Sequence, residues 1–272
     1  MKQRLKQKSL WVRNQILEKV VFARKGHIGG AFSCTDILVA LYYGDILRFN
    51  SKDPAWEKRD KFILSKGHSC IALYPILADL GFFSFTQWDN YCQNGCLLGG
   101  HPDMDIPGIE AVTGSLGHGL GIGVGLSLSA KLDASDCMSV VLLGDGECYE
   151  GSVWEAAMFA SHHKLNNLVA IVDRNKQCVT DFTEDCNRLE PLADKWKAFG
   201  WDACVVDGHS FDELLKVFKA FRRRKSLKPL VIVAQTIKGK GVSFMEGKIC
   251  WHHGVPCGDD LKLARQELGE SK

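Results

Sequence analysis

Short apolar runs bounded by polar residues recur along the chain. The clearest are Met138–Leu143 and Leu168–Val172, which are rich in β-branched residues and carry no charge. Runs of this length and composition predict buried strands. Three similar runs predict three further strands, at Lys61–Leu64, Ala203–Val206 and Leu230–Ala234.

Between these runs the apolar residues follow helical spacing. Residues 8–24 predict one helix, which should end near Gly26 and lead into a loop that reaches Gly30. A second helix is predicted over Thr35–Leu47, with Thr35 or Ser33 as its N-cap. Further helices are predicted at Val153–Ala160, Pro191–Phe199, Phe211–Arg223 and from Asp259 onward.

The alternation of strands and helices predicts an α/β fold, a doubly wound parallel sheet with helices on both faces. The sequence has 272 residues, 46% of them hydrophobic and 24% charged, and fits one domain over residues 1–272. The net charge of +2 argues against nucleic acid as a partner.

The cysteines and the termini of the sequence indicate a cytoplasmic protein. Eleven cysteines are scattered along the chain, and no apolar signal segment follows the basic start. No apolar run approaches the length of a membrane span. The thiols are therefore expected to be reduced, and Cys148, beside Gly146, is a candidate for oxidation.

The stretch Gly144-Asp-Gly146 follows one predicted strand, and Asn175 follows the next. The carboxyl ends of parallel strands are where open α/β sheets bind ligands. Glycines there let the backbone approach a ligand, and Asp145 could face a diphosphate only through a cation. Mg²⁺ prefers oxygen donors, and Asp145, Asn175 and the Gln177 carbonyl could supply three, with Ca²⁺ as a substitute. The alternative is a tight turn with an asparagine cap.

Six motifs in order resemble the transketolase family, specifically its domain that binds the diphosphate of thiamine diphosphate. The resemblance covers nearly the whole chain. The motifs are Gly26-His-Ile-Gly-Gly30, Ser65-Lys-Gly-His-Ser69, Gly99-Gly-His-Pro102, Thr113–Gly125, the Gly144-to-Asn175 segment and His253-Gly-Val-Pro256.

The resemblance implies roles for particular residues. Those implied to act on the sugar and at the reacting centre are His27, His68, His101 and His253. Those implied to contact the cofactor are His68, Gly114, Leu116, Asp145, Gly146, Glu150, Asn175 and His253. Glu150 matches a family glutamate near a subunit contact, although a carboxylate at a helix N-terminus would account for it equally well. His118 stands where the family commonly has glutamine, and its role stays open.

The glycines of the fourth motif do not fit a dinucleotide-binding pattern. Gly117, Gly121 and Gly125 lie four residues apart on the helix predicted to follow. They would form one flat face, at a cost in helix propensity of up to roughly 1 kcal/mol each. A packing contact, with another subunit as one candidate, would justify that cost.

The function implied by the resemblance is transfer of a two-carbon ketol unit between sugar phosphates. In the family, the glutamate that activates the cofactor lies on a separate pyrimidine-binding domain, and nothing in this sequence resembles that domain. The chain is therefore expected to be the N-terminal subunit of a split transketolase, active with a separately encoded C-terminal chain in an assembly with two of each. A truncated protein is the alternative organisation. The alternative functions are a non-catalytic thiamine-diphosphate-binding or regulatory subunit, and half of a 1-deoxyxylulose-phosphate-synthase-like enzyme.

Overall fold

The computed structural model describes residues 1–269. Its centre is a sheet of five parallel strands in the order β1-β2-β3-β5-β4. The predicted strands are confirmed, each to within two residues at either end. Their bounds are Lys61–Leu64 (β1), Ser139–Gly144 (β2), Leu168–Arg174 (β3), Asp202–Asp207 (β4) and Leu230–Gln235 (β5).

Ten α-helices surround the sheet within the described residues. Their bounds are Lys2–Ala23 (α1), Ile28–Tyr43 (α2), Cys70–Asp79 (α3), Phe85–Asp89 (α4), Gly119–Leu132 (α5), Gly151–His162 (α6), Thr183–Cys186 (α7), Leu192–Ala198 (α8), Phe211–Arg223 (α9) and Gly258–Glu267 (α10). None of them, over residues 1–269, is both long and apolar enough to cross a lipid bilayer.

The sheet has an apolar core on each face, as a doubly wound fold requires. Val140 and Leu142 of β2 face the core that α1, α2, α3 and α9 cover. Val141 and Leu143 point the other way, toward α5, α6 and α8. Side chains alternate between the faces along a strand, so a strand buried on both sides is apolar throughout.

The predicted start of α2 is wrong. The helix begins at Ile28, and His27 is its N-cap residue. Thr35 lies inside the helix, where its hydroxyl donates to the Ala31 carbonyl at 2.8 Å. Gly29 lies in the first turn of the helix, where the Trp251 backbone packs closely against it. A Cβ at this position would lie only 2.5 Å from the Trp251 carbonyl oxygen. Gly29 is therefore a helical glycine that allows close packing, and the prediction that it lies in a loop is wrong.

The predicted glycine face of α5 is partly wrong. Gly117 precedes the helix, has a φ of 85°, and packs against Glu150 and Ser152. Gly121 and Gly125 are exposed, and a Cβ at either would meet no atom within 4 Å. Gly123 faces the sheet, because its added Cβ would lie 2.4 Å from Val141. The flat exposed face of α5 therefore contains two glycines.

Candidate functional site

A cavity of about 520 Å³ opens at the carboxyl ends of β1, β2 and β3. Strands β2 and β3 end in register there, with Gly144 opposite Asp173. Most of the predicted site residues line this cavity. They are His27, His68, His101, Gly114, Leu116, Asp145, Gly146, Asn175 and Gln177.

One side of the cavity, the strand wall, consists of Asp145, Gly146, Asn175 and Gln177. The Asp145 carboxylate is buried and accepts hydrogen bonds from the Gly146 amide at 2.8 Å and from the Lys176 amide. It also pairs with the Arg174 guanidinium at 3.0 Å. Burial raises the pKa of Asp145, the Asp173 carboxylate raises it further, and Arg174 opposes both effects.

The other oxygens of the strand wall follow β3. The Asn175 side-chain oxygen accepts from the Gln177 amide at 3.1 Å, and Lys176 between them has a φ of 67°. The Gln177 side-chain oxygen is buried and has no hydrogen-bond partner. A carboxylate, an amide oxygen and a backbone carbonyl form a donor set that suits a hard cation. A cation would also relieve the burial penalty on Asp145.

A buried ion pair lies beneath the strand wall. Asp173 accepts hydrogen bonds from Lys66, from the Ser33 hydroxyl at 2.6 Å and from the Thr236 hydroxyl. Burial alone would raise the pKa of Asp173, but Lys66 and these hydrogen bonds hold it below its ordinary value. Lys66 also donates to the Gly30 carbonyl at 3.0 Å. The pair therefore fixes the ends of β1 and β3 to the start of α2.

Glu147 connects the strand wall to the loop before α5. Its buried carboxylate accepts hydrogen bonds from the Ser65 hydroxyl, from the Gly117 amide at 2.9 Å and from the Gly144 amide at 3.0 Å. Burial raises the pKa of Glu147, and the hydrogen bonds oppose this effect. The sequence analysis missed this residue.

On the opposite side of the cavity five histidines form a group, the histidine cluster, and four of them line the cavity. The His27 ring centroid lies 5.1 Å from that of His68, 6.4 Å from His101, 5.4 Å from His252 and 4.8 Å from His253. His253 is exposed and does not line the cavity, whereas its neighbour His252 does. The sequence analysis missed His252.

Three of these imidazoles, His27, His68 and His252, are largely buried and lie near the Lys66 and Lys238 ammonium groups. Burial lowers the pKa of His27 to about 4, and His253 and His101 add to the effect. Burial and the Lys238 ammonium lower the pKa of His252 to about 3. Burial and Lys66 lower the pKa of His68 well below its ordinary value. Neutral imidazoles can both accept and donate a proton, which suits contact with sugar hydroxyls.

Lys238, from the loop after β5, is a further residue of the cavity that the sequence analysis missed. Its ammonium donates to the Cys178 carbonyl at 3.0 Å and approaches the Gln177 carbonyl at 3.4 Å. Burial lowers the pKa of Lys238 to about 8, and Lys66 adds to the effect. A cation here suits an anionic ligand.

Three residues singled out in the sequence lie away from the cavity surface. Glu150 is exposed as the N-cap residue of α6, and His118 is exposed before α5. Cys148 is buried, and burial raises the pKa of its thiol well above the ordinary value. Cys148 is therefore a poor candidate for oxidation.

Residues 6–272 match the family model for the transketolase thiamine diphosphate binding domain. The chain is 45% identical over 258 residues to an apulose-4-phosphate transketolase subunit from Phocaeicola vulgatus, covering 95% of this chain and 91% of that protein. It is 37% identical over 251 residues to human transketolase, covering 92% of this chain but 40% of that protein.

A solved transketolase structure from Campylobacter jejuni superposes with a TM-score of 0.91 at 30% sequence identity. The superposition covers 98% of this chain and 43% of that one. The resemblance found in the six motifs is thus confirmed across the chain. This protein belongs to the transketolase family and corresponds to its thiamine diphosphate-binding domain.

Proposed function

We propose that the chain is the N-terminal subunit of a two-chain transketolase that transfers a two-carbon ketol unit between sugar phosphates. The observation that carries the proposal is one cavity that joins an oxygen-rich strand wall to a histidine cluster. Relatives that match this chain over most of their length, from Phocaeicola vulgatus and a Clostridium species, are named as transketolase subunits.

The strand wall holds the cofactor diphosphate through Mg²⁺, and Ca²⁺ can substitute. Asp145, Asn175 and the Gln177 carbonyl supply oxygens to the metal, and Gly146 leaves room for the diphosphate. The backbone at Gly114 and Leu116 and the side chain of His68 contact the cofactor. Thiamine diphosphate, when bound, supplies the reactive carbon and the electron sink for ketol transfer.

The histidine cluster acts on the sugar. His27, His68, His101 and His253 gather at one side of the cavity, and imidazole is the side chain most often used to move protons to and from hydroxyls. The charge of Lys238 nearby favours an anionic substrate or cofactor group.

A partner chain supplies the carboxylate that activates the cofactor. The two acidic side chains of the described residues that line the cavity, Asp145 and Glu147, are already engaged. Asp145 is held by Arg174 and two backbone amides, and Glu147 by a hydroxyl and two backbone amides. Asp145 is assigned to the metal and Glu147 to the loop before α5, so we expect a pyrimidine-binding domain to bring the glutamate that contacts the aminopyrimidine ring.

The test is to combine this chain with a purified pyrimidine-binding-domain chain of a split transketolase. The mixture should transfer a ketol unit from a ketose phosphate to an aldose phosphate, and neither chain should do so alone. Turnover by this chain alone, or none by the mixture, would contradict the proposal. Turnover that requires pyruvate as donor would instead indicate the deoxyxylulose-phosphate-synthase-like activity.

The proposed assembly has two copies of each chain, with the exposed faces of α5 and α6 in contact. A groove between these helices is lined by Gly121, Gly125, Val124, Leu128 and Phe159. Phe159 is 44% exposed. Glu150 lies at the start of α6 and suits a subunit contact. The eleven free cysteines support a cytoplasmic location.

Replacing Gly125 by Leu tests the assembly. A side chain there has open space in the single subunit, and removing a helical glycine favours the helix by roughly 0.5–1 kcal/mol. The variant should fold but fail to form the four-chain assembly in light scattering. Ala220→Leu, which adds similar bulk to the exposed surface of α9, should assemble normally. Normal assembly of Gly125→Leu would exclude this contact.

A further inference from the structure

Two cysteines lie side by side on the rim of the cavity. The Sγ atoms of Cys178 and Cys186 are 3.3 Å apart. The Thr180 hydroxyl lies 3.6 Å from the first and 3.9 Å from the second. Cys186 is exposed and Cys178 is half-buried, and both line the cavity. The pair is therefore accessible to a small molecule in solution.

The local fold holds the two thiols together. Gln177 and Phe182 form an antiparallel bridge, and the Cys178 amide donates to the Asp181 carbonyl at 3.0 Å. The chain then turns into α7, where the Cys186 amide donates to the Phe182 carbonyl at 3.1 Å. This folded segment brings Cys186 back over Cys178.

The segment is anchored from its buried side. The Arg174 guanidinium, which pairs with Asp145, also donates to the Thr183 hydroxyl at 2.6 Å. The Thr183 amide donates to the Lys176 carbonyl at 3.0 Å. The sulfur atoms thus meet in a supported geometry rather than in a free loop.

We propose that Cys178 and Cys186 form a reversible disulfide in response to a hydroperoxide. The peroxide oxidises one thiol to a sulfenic acid, its O–O bond breaks, and it leaves as water or an alcohol. The second thiol then attacks the sulfenic sulfur, the S–S bond forms, and water leaves. The two thiols together lose two protons and two electrons, the peroxide takes up both, and an external dithiol reverses the reaction by exchange.

The cross-link needs only a short approach of the two sulfurs. A disulfide has an S–S distance of about 2.05 Å, so the sulfurs need to approach by only about 1 Å. Other thiols near the site are unsuited, because Cys148 and Cys34 are buried. Burial raises the pKa of the Cys34 thiol to about 12.

The cross-link would act on the strand wall. A Cβ added to Gly146 would lie 3.1 Å from the Cys178 Cβ, so Cys178 lies directly against the loop that carries Asp145. If the proposed function holds, bound cofactor occupies the cavity that both cysteines line. We therefore expect the disulfide to oppose cofactor binding, an inference that rests on the proposed function. By thermodynamic linkage, bound cofactor should then slow the oxidation.

Tryptic digestion offers a direct test. Cleavage after Lys176 and Arg188 releases one peptide, residues 177–188, that contains both cysteines. After treatment with hydrogen peroxide and alkylation, this peptide should lack two hydrogen atoms and carry no alkyl group. After reduction with dithiothreitol it should carry two. Cys178→Ser and Cys186→Ser should each abolish the cyclic peptide, whereas Cys257→Ser, which removes another exposed thiol, should retain it.

A peptide that stays fully alkylated, or that carries only singly oxidised sulfurs, would overturn the proposal. Calorimetry on the assembled two-chain enzyme with Mg²⁺ then measures the coupling, and the oxidised form should bind thiamine diphosphate more weakly by a factor in the roughly 5–150-fold range typical of coupled sites. Equal affinity of both forms would refute the expected control of binding. If reduced protein binds no thiamine diphosphate at all, the proposed function fails, while the disulfide is still decided by the peptide masses.

Discussion

The strand wall and the histidine cluster face each other across one cavity but are built differently. Asp145 and Asn175 follow two adjacent strands, and the pairing of Gly144 with Asp173 brings them together. The histidines come from separate segments at residues 27, 68, 101 and 252–253. The strand wall is fixed by hydrogen bonds to its carboxylate and amide oxygens, whereas ring contacts and burial hold the histidine cluster.

This difference in construction explains how one cavity can both bind a charged cofactor group and act on a sugar. The strand wall keeps a buried carboxylate beside a guanidinium and suits the binding of a charged group through a cation. In the histidine cluster, burial and nearby lysines lower the pKa of His27, His68 and His252, and neutral imidazoles suit hydrogen bonds with sugar hydroxyls. Changes on one side should therefore alter binding, and changes on the other should alter turnover.

Substitutions in the histidine cluster should have the largest effect on turnover. His27→Ala and His101→Ala should each lower turnover of the assembled enzyme by about 10²–10⁴-fold, the range for loss of general acid–base catalysis. Cofactor affinity, measured by calorimetry, should stay nearly constant. His162→Ala, an exposed histidine of α6, is the matched control. Wild-type kinetics in both cluster variants would show that these residues only shape the loops.

Acid should destabilise the protein through the same cluster. The pKa of His27 is lowered from 6.5 to about 4, so the unfolded chain binds more protons between these values. The contribution of His27 to the free energy of unfolding is therefore fully present above pH 6.5 and decreases as the pH falls toward 4. Each imidazole contributes at most about 1.4 kcal/mol per pH unit, and less where solvent screens it.

Urea denaturation of the cofactor-free protein at pH 5, 6 and 7 measures the slope of the free energy of unfolding against pH. His27→Gln and His68→Gln should make it shallower, whereas His162→Gln on the exposed surface should leave it unchanged. Identical slopes in the wild type and the two cluster variants would contradict the account of the neutral cluster.

Glu147→Gln should lower the stability of the folded chain without removing a group that acts on the sugar or the cofactor. The amide keeps one acceptor oxygen but directs its NH₂ group toward the hydroxyl or amides that now donate to the carboxylate. Losing a hydrogen bond to a charged group costs roughly 1.5–3 kcal/mol, which thermal unfolding can detect. The exposed Glu57→Gln is the control. Wild-type stability of Glu147→Gln would mean that the hydrogen bonds from Gly117 and Gly144 to Glu147 contribute nothing measurable to stability.

The sequence revealed the strand wall because its chemistry is local. Apolar runs identified the strands, and the residues directly after them supplied Asp145 and Asn175. The buried charges beneath the strand wall were not predicted, because the two members of the ion pair are far apart in the sequence. Lys66 and Asp173 are 107 positions apart, and a lysine or aspartate after a strand resembles an ordinary polar boundary.

The start of α2 was missed for a related reason. Gly29 and Gly30 predicted a loop from the sequence, but the structure uses them where Trp251 and Ser69 approach the helix. The resemblance indicated four of the five histidines and missed His252, and no spacing rule connects residue 27 to residue 252. Contacts between remote segments are the part that periodicity cannot predict.

Metal-dependent cofactor binding tests the central claim most directly. Thiamine diphosphate is titrated by calorimetry into the assembled enzyme with Mg²⁺ present and after chelation, for the wild type, Asp145→Ala and Asp145→Asn. Circular dichroism of each variant checks folding, because removing the carboxylate leaves Arg174 without its buried partner. Chelation and both substitutions should weaken binding by at least about 100-fold, since even groups behind a metal ligand cost 10–100-fold. Unchanged affinity in folded Asp145→Ala would contradict the assignment of the strand wall.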